Sequence, residues 1–230
     1  MRGLRHNSLA LAFLALFGVA LVGQALAGHA LYNHEEVTHA RLLNEQPQTL
    51  SLGRYVVSSS FGQAVMENWQ SEYLQFTLFI LATTWLVQRG SPESKPPGRA
   101  GRESDREQLL GEHARPESPR WAKHRGGLRR WLYSNSLLLV MTAIFLGSWF
   151  AQSVTGWSAY NAEQIQHEAE PVSWLGYVVS ADFWQATLQN WQSEFLAVGS
   201  MVILSVYLRQ RGSPESKPVG TPHDATGTEG

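Results

Sequence analysis

The sequence predicts an all-α membrane protein: four transmembrane helices, built as a tandem, parallel repeat of a two-helix unit, with a disordered cytoplasmic linker between the copies. Three observations lead there. Apolar and charged residues are segregated into blocks, which a mean hydropathy of −0.20 and a charged fraction of 16 % conceal. The chain resembles itself at two fixed offsets, and basic residues avoid two of its loops.

The elements follow in order. Residues 9–27 form a run of 19 interrupted by one strongly polar side chain, Gln24. At a rise of ~1.5 Å per residue such a run nearly crosses a ~30 Å hydrocarbon core, so a span at about 9–28 is expected. Residues 73–87 give a shorter run of 15, lengthened by Trp69 into a span at about 69–88 with an interfacial aromatic. Residues 137–154, interrupted only by Thr142, Ser148, Gln152 and Ser153, predict a span at about 136–156. Residues 195–208, with Trp191, predict a span at about 191–208. Ser60 and Asp182 each precede a Gln by three residues (Gln63, Gln185), so a capping box is expected to start the second and fourth helices. The block QRGSPESKP at 88–96 and again at 210–218 reads as a helix stop, with Gly90 and Gly212 at left-handed C′ positions and Pro92 and Pro214 forbidding continuation.

Orientation comes from charge. Sixteen of the 18 Lys and Arg lie in the N-terminal tail, the 89–130 segment and the C-terminal end; the two remaining loops hold only Arg41 and Arg54. The positive-inside rule then places both termini and the linker in the cytoplasm of a cell (inner) membrane protein. The N-terminus also has the form of a secretory signal, with Ala25-Leu26-Ala27 as a cleavage site. Retention is expected, because the third helix carries the same pattern at an internal position.

At an offset of 128, Asn7-Ser8 recurs as Asn135-Ser136, Gln24 as Gln152, Gly28 as Gly156 and Tyr32-Asn33 as Tyr160-Asn161. After a six-residue shortening the offset is 122: Tyr55-Val56-Val57-Ser58 recurs at 177–180 and Asn68-Trp69-Gln70-Ser71-Glu72 at 190–194. The organisation expected is a first repeat at 5–98, a linker at 99–128, a second repeat at 129–220 and a disordered tail at 221–230. Two spans per copy give both copies the same orientation, so the symmetry axis lies along the membrane normal. The NWQSE and QRGSPESK blocks, with the GQA near the end of the first helix, resemble an uncharacterised family of small bacterial integral membrane proteins, a domain of unknown function. The resemblance covers about 5–98 and 129–220 and implies a membrane location; it carries no activity.

The linker is rich in Pro, Gly, Arg and Glu and has no apolar periodicity with which to bury a core. Arg120, Lys123, Arg125, Arg129 and Arg130 sit just before the third helix, as an orientation anchor or as a contact for anionic lipid head groups.

Several polar positions are candidates for a site. Ala20, Gln24 and Gly28 share one helix face, as do Ser148, Gln152 and Gly156; a packing seam is preferred over a pore lined by the two amides. Glu72 and Glu194 are expected at the membrane boundary, as hydrated helix-end residues or as a gate for cations. The outer loops share Tyr-Asn-x-Glu-x-x-x-His, which sets Glu35 beside His39 and Glu163 beside His167 at helical spacing. Solvated pairs are the plainer reading; the sharper one is a four-ligand site for Zn²⁺ or a similar divalent ion. There are no cysteines, and all eight histidines fall outside the spans or at their ends, which disfavours a buried haem. No P-loop, Gly-rich nucleotide loop or serine-nucleophile motif is present. The expectation is a non-enzymatic membrane scaffold or partner-binding protein without a cofactor, in contact with the lipid bilayer and not with nucleic acid. The alternative is a small transporter or channel using the intramembrane glutamines, for which four spans would require a homo-oligomer.

Overall fold

A computed structural model describes residues 6–227, and within them the chain is all-α, with seven α-helices and no strand. They are α1 (Ser8–Leu43), α2 (Leu52–Tyr55), α3 (Ser59–Trp85), α4 (Leu128–Ser134), α5 (Ser136–Gln166), α6 (Trp174–Val178) and α7 (Ala181–Tyr207). Two of them, α1 with 36 residues and α5 with 31, are long and apolar enough to cross a membrane. The helices α3 and α7 reach 27 residues each, but their N-terminal halves are polar and they fall short of that criterion.

Helix α1 continues well past the predicted span, carrying Tyr32 to His39 as regular helical turns, and stops at Asn44. That residue adopts φ 57, ψ 38, and its N–H donates to the Ala40 carbonyl, a left-handed cap that asparagine tolerates.

The caps of α3 and α7 lie two residues earlier than the sequence suggests. Ser58 Oγ accepts from Phe61 N and Ser180 Oγ from Phe183 N, each at 3.3 Å, so Ser58 and Ser180 replace Ser60 and Asp182 in that role. Ser180 is the last residue with extended backbone (φ −74, ψ 160). Asp182 already lies in the first turn, where a carboxylate favours the helix dipole.

The helix ends also differ from expectation. The helices stop at Trp85 and Tyr207, ahead of the nonapeptide, so Gly90 and Gly212 are not C′ residues. Each is the third residue of a tight turn, closed by Ser91 N→Gln88 O at 3.1 Å and Ser213 N→Gln210 O at 3.2 Å. Their φ values of 87° and 85° are the left-handed conformation such a turn position takes.

The fold divides into two units. One comprises Met1–Val65 with Ala151–Val178, the other Met66–Phe150 with Val179–Gly230. In the first, Tyr55 and Tyr177 are the buried aromatic side chains, at 6 % and 2 % exposure. In the second, Leu74, Phe145, Phe183 and Val206 are buried, and Trp149 gathers Phe145, Phe183, Trp184 and Trp191 at ring-centroid distances of 5.7, 6.3, 6.1 and 5.8 Å. The segment between α3 and α4 contains no α-helix, only the 3₁₀ turn Gly111–His113. Lys95 pairs with Glu103 and Arg130 with Asp105, each at 2.8 Å. Arg120, Lys123, Arg125 and Arg129 are exposed.

Candidate functional site

In the first unit the two copies make the same local contacts. Asn33 closes the loop after α1 by accepting from Leu50 N at 2.8 Å and donating to Leu50 O at 2.9 Å. Asn161 treats Val172 the same way, with both bonds at 2.9 Å. The sequence difference between the copies is absorbed: His29 Nε2 stands 2.7 Å from the Leu50 carbonyl, and the indole N–H of Trp157 donates to Val172 O at 2.8 Å. Beside each clamp a tyrosine lies across a glycine. A Cβ on Gly28 would collide with the Tyr55 hydroxyl, and one on Gly156 with the Tyr177 hydroxyl. The two glycines read in the sequence as helix-packing positions therefore seat aromatic rings.

Of the four proposed ligands, the structure brings the two imidazoles together. His39 and His167 meet edge to face at 5.7 Å between ring centroids. Next to them Gln166 Nε2 donates to Glu36 Oε1 at 2.8 Å. Glu163 stands 4.0 Å from His167, and both are exposed, a contact of small energetic weight. The Glu35 carboxylate lies near Tyr55, whose phenol is pushed up first by burial and then by that charge. Among the described residues no group of three or more His, Asp or Glu side chains is arranged to hold a metal ion.

The two glutamines differ in environment: Gln152 is fully buried, whereas Gln24 is half-buried on α1. In the second unit Glu72 is exposed and Glu194 half-buried, within Coulombic reach of each other. Sequence reasoning passed over the residue between them and the aromatic cluster. Gln70 is fully buried and accepts from the Trp191 indole N–H at 2.7 Å, beside Trp149. The recurrence of NWQSE in both copies was the signal available, because Gln70 and Trp191 belong to opposite copies of that block.

The two nonapeptides form the most elaborate polar constellation in the second unit. Inside each, the backbone N–H of the leading Gln donates to a serine hydroxyl, Gln88 to Ser94 and Gln210 to Ser216, both at 2.9 Å. Each lysine then reaches a carbonyl six residues on, Lys95 to Gly101 at 2.6 Å and Lys217 to His223 at 2.9 Å. Lys217 goes further and also donates to Gly90 O, Pro222 O and Ala225 O at 2.6, 3.2 and 3.1 Å, at 1 % exposure. Burial above all, then the nearby Arg209 charge, holds its ammonium below the usual lysine range, with Asp224 opposing. Arg209 itself donates to Val206 O and Leu208 O at the end of α7 and to Thr221 O, which draws the C-terminal segment back onto the helix end. The Glu93 carboxyl is pushed up first by burial and then by the neighbouring Glu215 carboxylate. Together these bonds tie the chain's own C-terminal segment to the two nonapeptides and to the end of α7.

The chain belongs to a family described as a domain of unknown function (DUF6766), whose model matches residues 1–228. No curated protein and no solved structure matches it.

Proposed function

We propose that this member of the DUF6766 family is a multi-pass membrane protein that acts as a non-enzymatic, partner-binding scaffold. Four spans, at about 9–28, 69–88, 136–156 and 191–208, put both termini and the linker in the cytoplasm. The observation that carries the reading is the recurrence of the same contacts in both copies: the clamps of Asn33 and Asn161, the tyrosines over Gly28 and Gly156, and the folded nonapeptides. If α5 crosses the bilayer, its counterpart α1 does so too, and the repeat carries α3 and α7 with them. Packing is favoured over conduction because Gln152 is fully buried. The exposed side chains of Arg120, Lys123, Arg125 and Arg129 suit contact with anionic head groups on the cytoplasmic face.

The topology is testable without background, since the chain has no native cysteine. Ser104→Cys should react only with reagent admitted to the cytoplasmic side and Thr38→Cys only with reagent outside. Labelling of Ser104→Cys from outside overturns the topology. The scaffold reading is tested by Gln24→Leu combined with Gln152→Leu. Stability should fall by about 0.5 to 2 kcal/mol with no change in solute or ion flux across proteoliposomes. Flux in the parent chain that the double variant abolishes at unchanged stability would instead establish a channel.

A further inference from the structure

The two nonapeptides have the same sequence, the same tight turn and the same serine side-chain hydrogen bonds, but only one of them is covered by the C-terminal segment. On the first, at 88–96, lies the segment His223 to Gly227. Asp224 Oδ2 accepts from Arg89 at 3.1 Å, Thr226 Oγ1 accepts from Gly90 N at 2.8 Å, and Gly227 N donates to Ser91 O at 3.1 Å. Gly90, Ser91 and Pro92 are buried beneath it. The contact is close enough that a Cβ on Gly90 would run into the His223 carbonyl oxygen. On the second, at 210–218, the corresponding groups face solvent. Arg211, Gly212 and Pro214 are exposed, and no atom lies within 4 Å of where a Cβ on Gly212 would stand. A cavity of about 290 Å³ lies there, lined by Arg211, Gly212, Ser213 and Lys217 among others.

We propose that the second nonapeptide is a docking seat for a segment of a partner protein of the form Asp-x-Thr-Gly. This rests on the scaffold reading and names the chemistry of its partner. All three direct contacts made to Asp224, Thr226 and Gly227 come from Arg, Gly N–H and Ser C=O; the second loop offers Arg211 and the Gly212 N–H in the same turn, while its Ser213 carbonyl already accepts from Ser216 N at 3.3 Å and has its second lone pair for an occupant. The charge is complementary: Arg211 has no ion pair among the described residues, and an aspartate placed as Asp224 is placed against Arg89 supplies one. The occupant is a partner and not the tail of a second copy, because each tail is held in its own chain at an effective concentration in the mM range.

The probe is a blocked synthetic peptide, His-Asp-Ala-Thr-Gly, titrated into the full chain in detergent micelles. One peptide should bind per chain. Gly212→Ala should weaken binding at least tenfold, since its methyl group occupies open space in the free chain but meets the backbone of an occupant. Arg211→Glu, a change at an exposed side chain that leaves the fold intact, should do the same by charge reversal. A peptide carrying Lys in place of Asp should lose binding in parallel. No binding up to the mM range, or binding that survives both variants, overturns the proposal. So does binding removed by Arg89→Glu alone, which would mean that the peptide displaces the tail from the first loop. Concentration-dependent self-association of the chain without peptide, abolished by Arg211→Glu, would make the occupant a second copy and also overturn it. None of these outcomes bears on labelling topology or flux, so failure here is distinct from failure of the scaffold reading.

Discussion

Residues 88–96 and 210–218 are the same nine amino acids, and they close the same turn and the same serine hydrogen bond, yet their lysines live in different surroundings. Lys95 keeps 24 % of its side chain exposed and pairs with Glu103. Lys217 is 1 % exposed and gives its ammonium to four backbone carbonyls. The local conformation is therefore a property of the peptide itself, set by glycine, proline and serine at fixed positions. Burial is set by what packs around each copy: Glu103 and the Gly101 carbonyl at Lys95, and the Gly90, Pro222, His223 and Ala225 carbonyls at Lys217. A duplicated sequence gives two copies of a shape and leaves their environments free to diverge.

The largest effects should come from the lysines and from Gly90. Lys217→Met leaves the Gly90, His223 and Ala225 carbonyls without their donor, at a cost of about 2 to 3 kcal/mol, while Pro222 O keeps its bond from Ala225 N. Lys95→Met removes a partly exposed ion pair and should cost about 0 to 1 kcal/mol. Thermal melts of the two variants side by side measure the gap, and equal losses would break the comparison. Gly90→Ala and Gly212→Ala both force alanine into the left-handed region, worth about 1 to 2 kcal/mol. Gly90→Ala alone collides with the segment above it, so it should lose about 1 to 3 kcal/mol more and expose the C-terminal residues to protease. The smallest effect is one of pH. Burial and Glu215 raise Glu93, so over the window just above the ordinary value of 4.5 the native chain holds a proton that the unfolded chain has released. Stability should then fall as pH rises through that window, and Glu93→Gln should flatten the dependence.

The long apolar runs made α1 and α5 legible from the sequence, since nothing but a helix satisfies so many consecutive backbone groups among apolar side chains. The contact between His39 and His167 joins equivalent positions of the repeat, but the plainer expectation is two separate solvated Glu–His pairs, because spacing within each copy says nothing of a contact between copies. The helix ends were misplaced for a local reason: Ser58 competes with Ser60, and Ser180 with Asp182, and the motif alone does not say which residue is the last in extended conformation. The single-turn helices Leu52–Tyr55 and Trp174–Val178 were missed because four or five residues show no periodicity. The bond between Gln70 and Trp191 and the seat of the C-terminal segment on Arg89 had no local signal at all. Both join residues more than a hundred positions apart, and such pairings are decided by tertiary contact.

The asparagine clamps have a consequence for how this chain can change. Asn33 and Leu50 are 17 residues apart, whereas Asn161 and Val172 are 11 apart, and the hydrogen bonds that close the two loops are the same. The six-residue difference is thus contained entirely between clamp points, and its entropic cost is only about 0.4 kcal/mol by the logarithmic scaling of loop closure. The clamp works as a graft point: an epitope or a reporter peptide inserted between Asn44 and Gln48 would begin and end at a stem whose geometry does not depend on the length it carries.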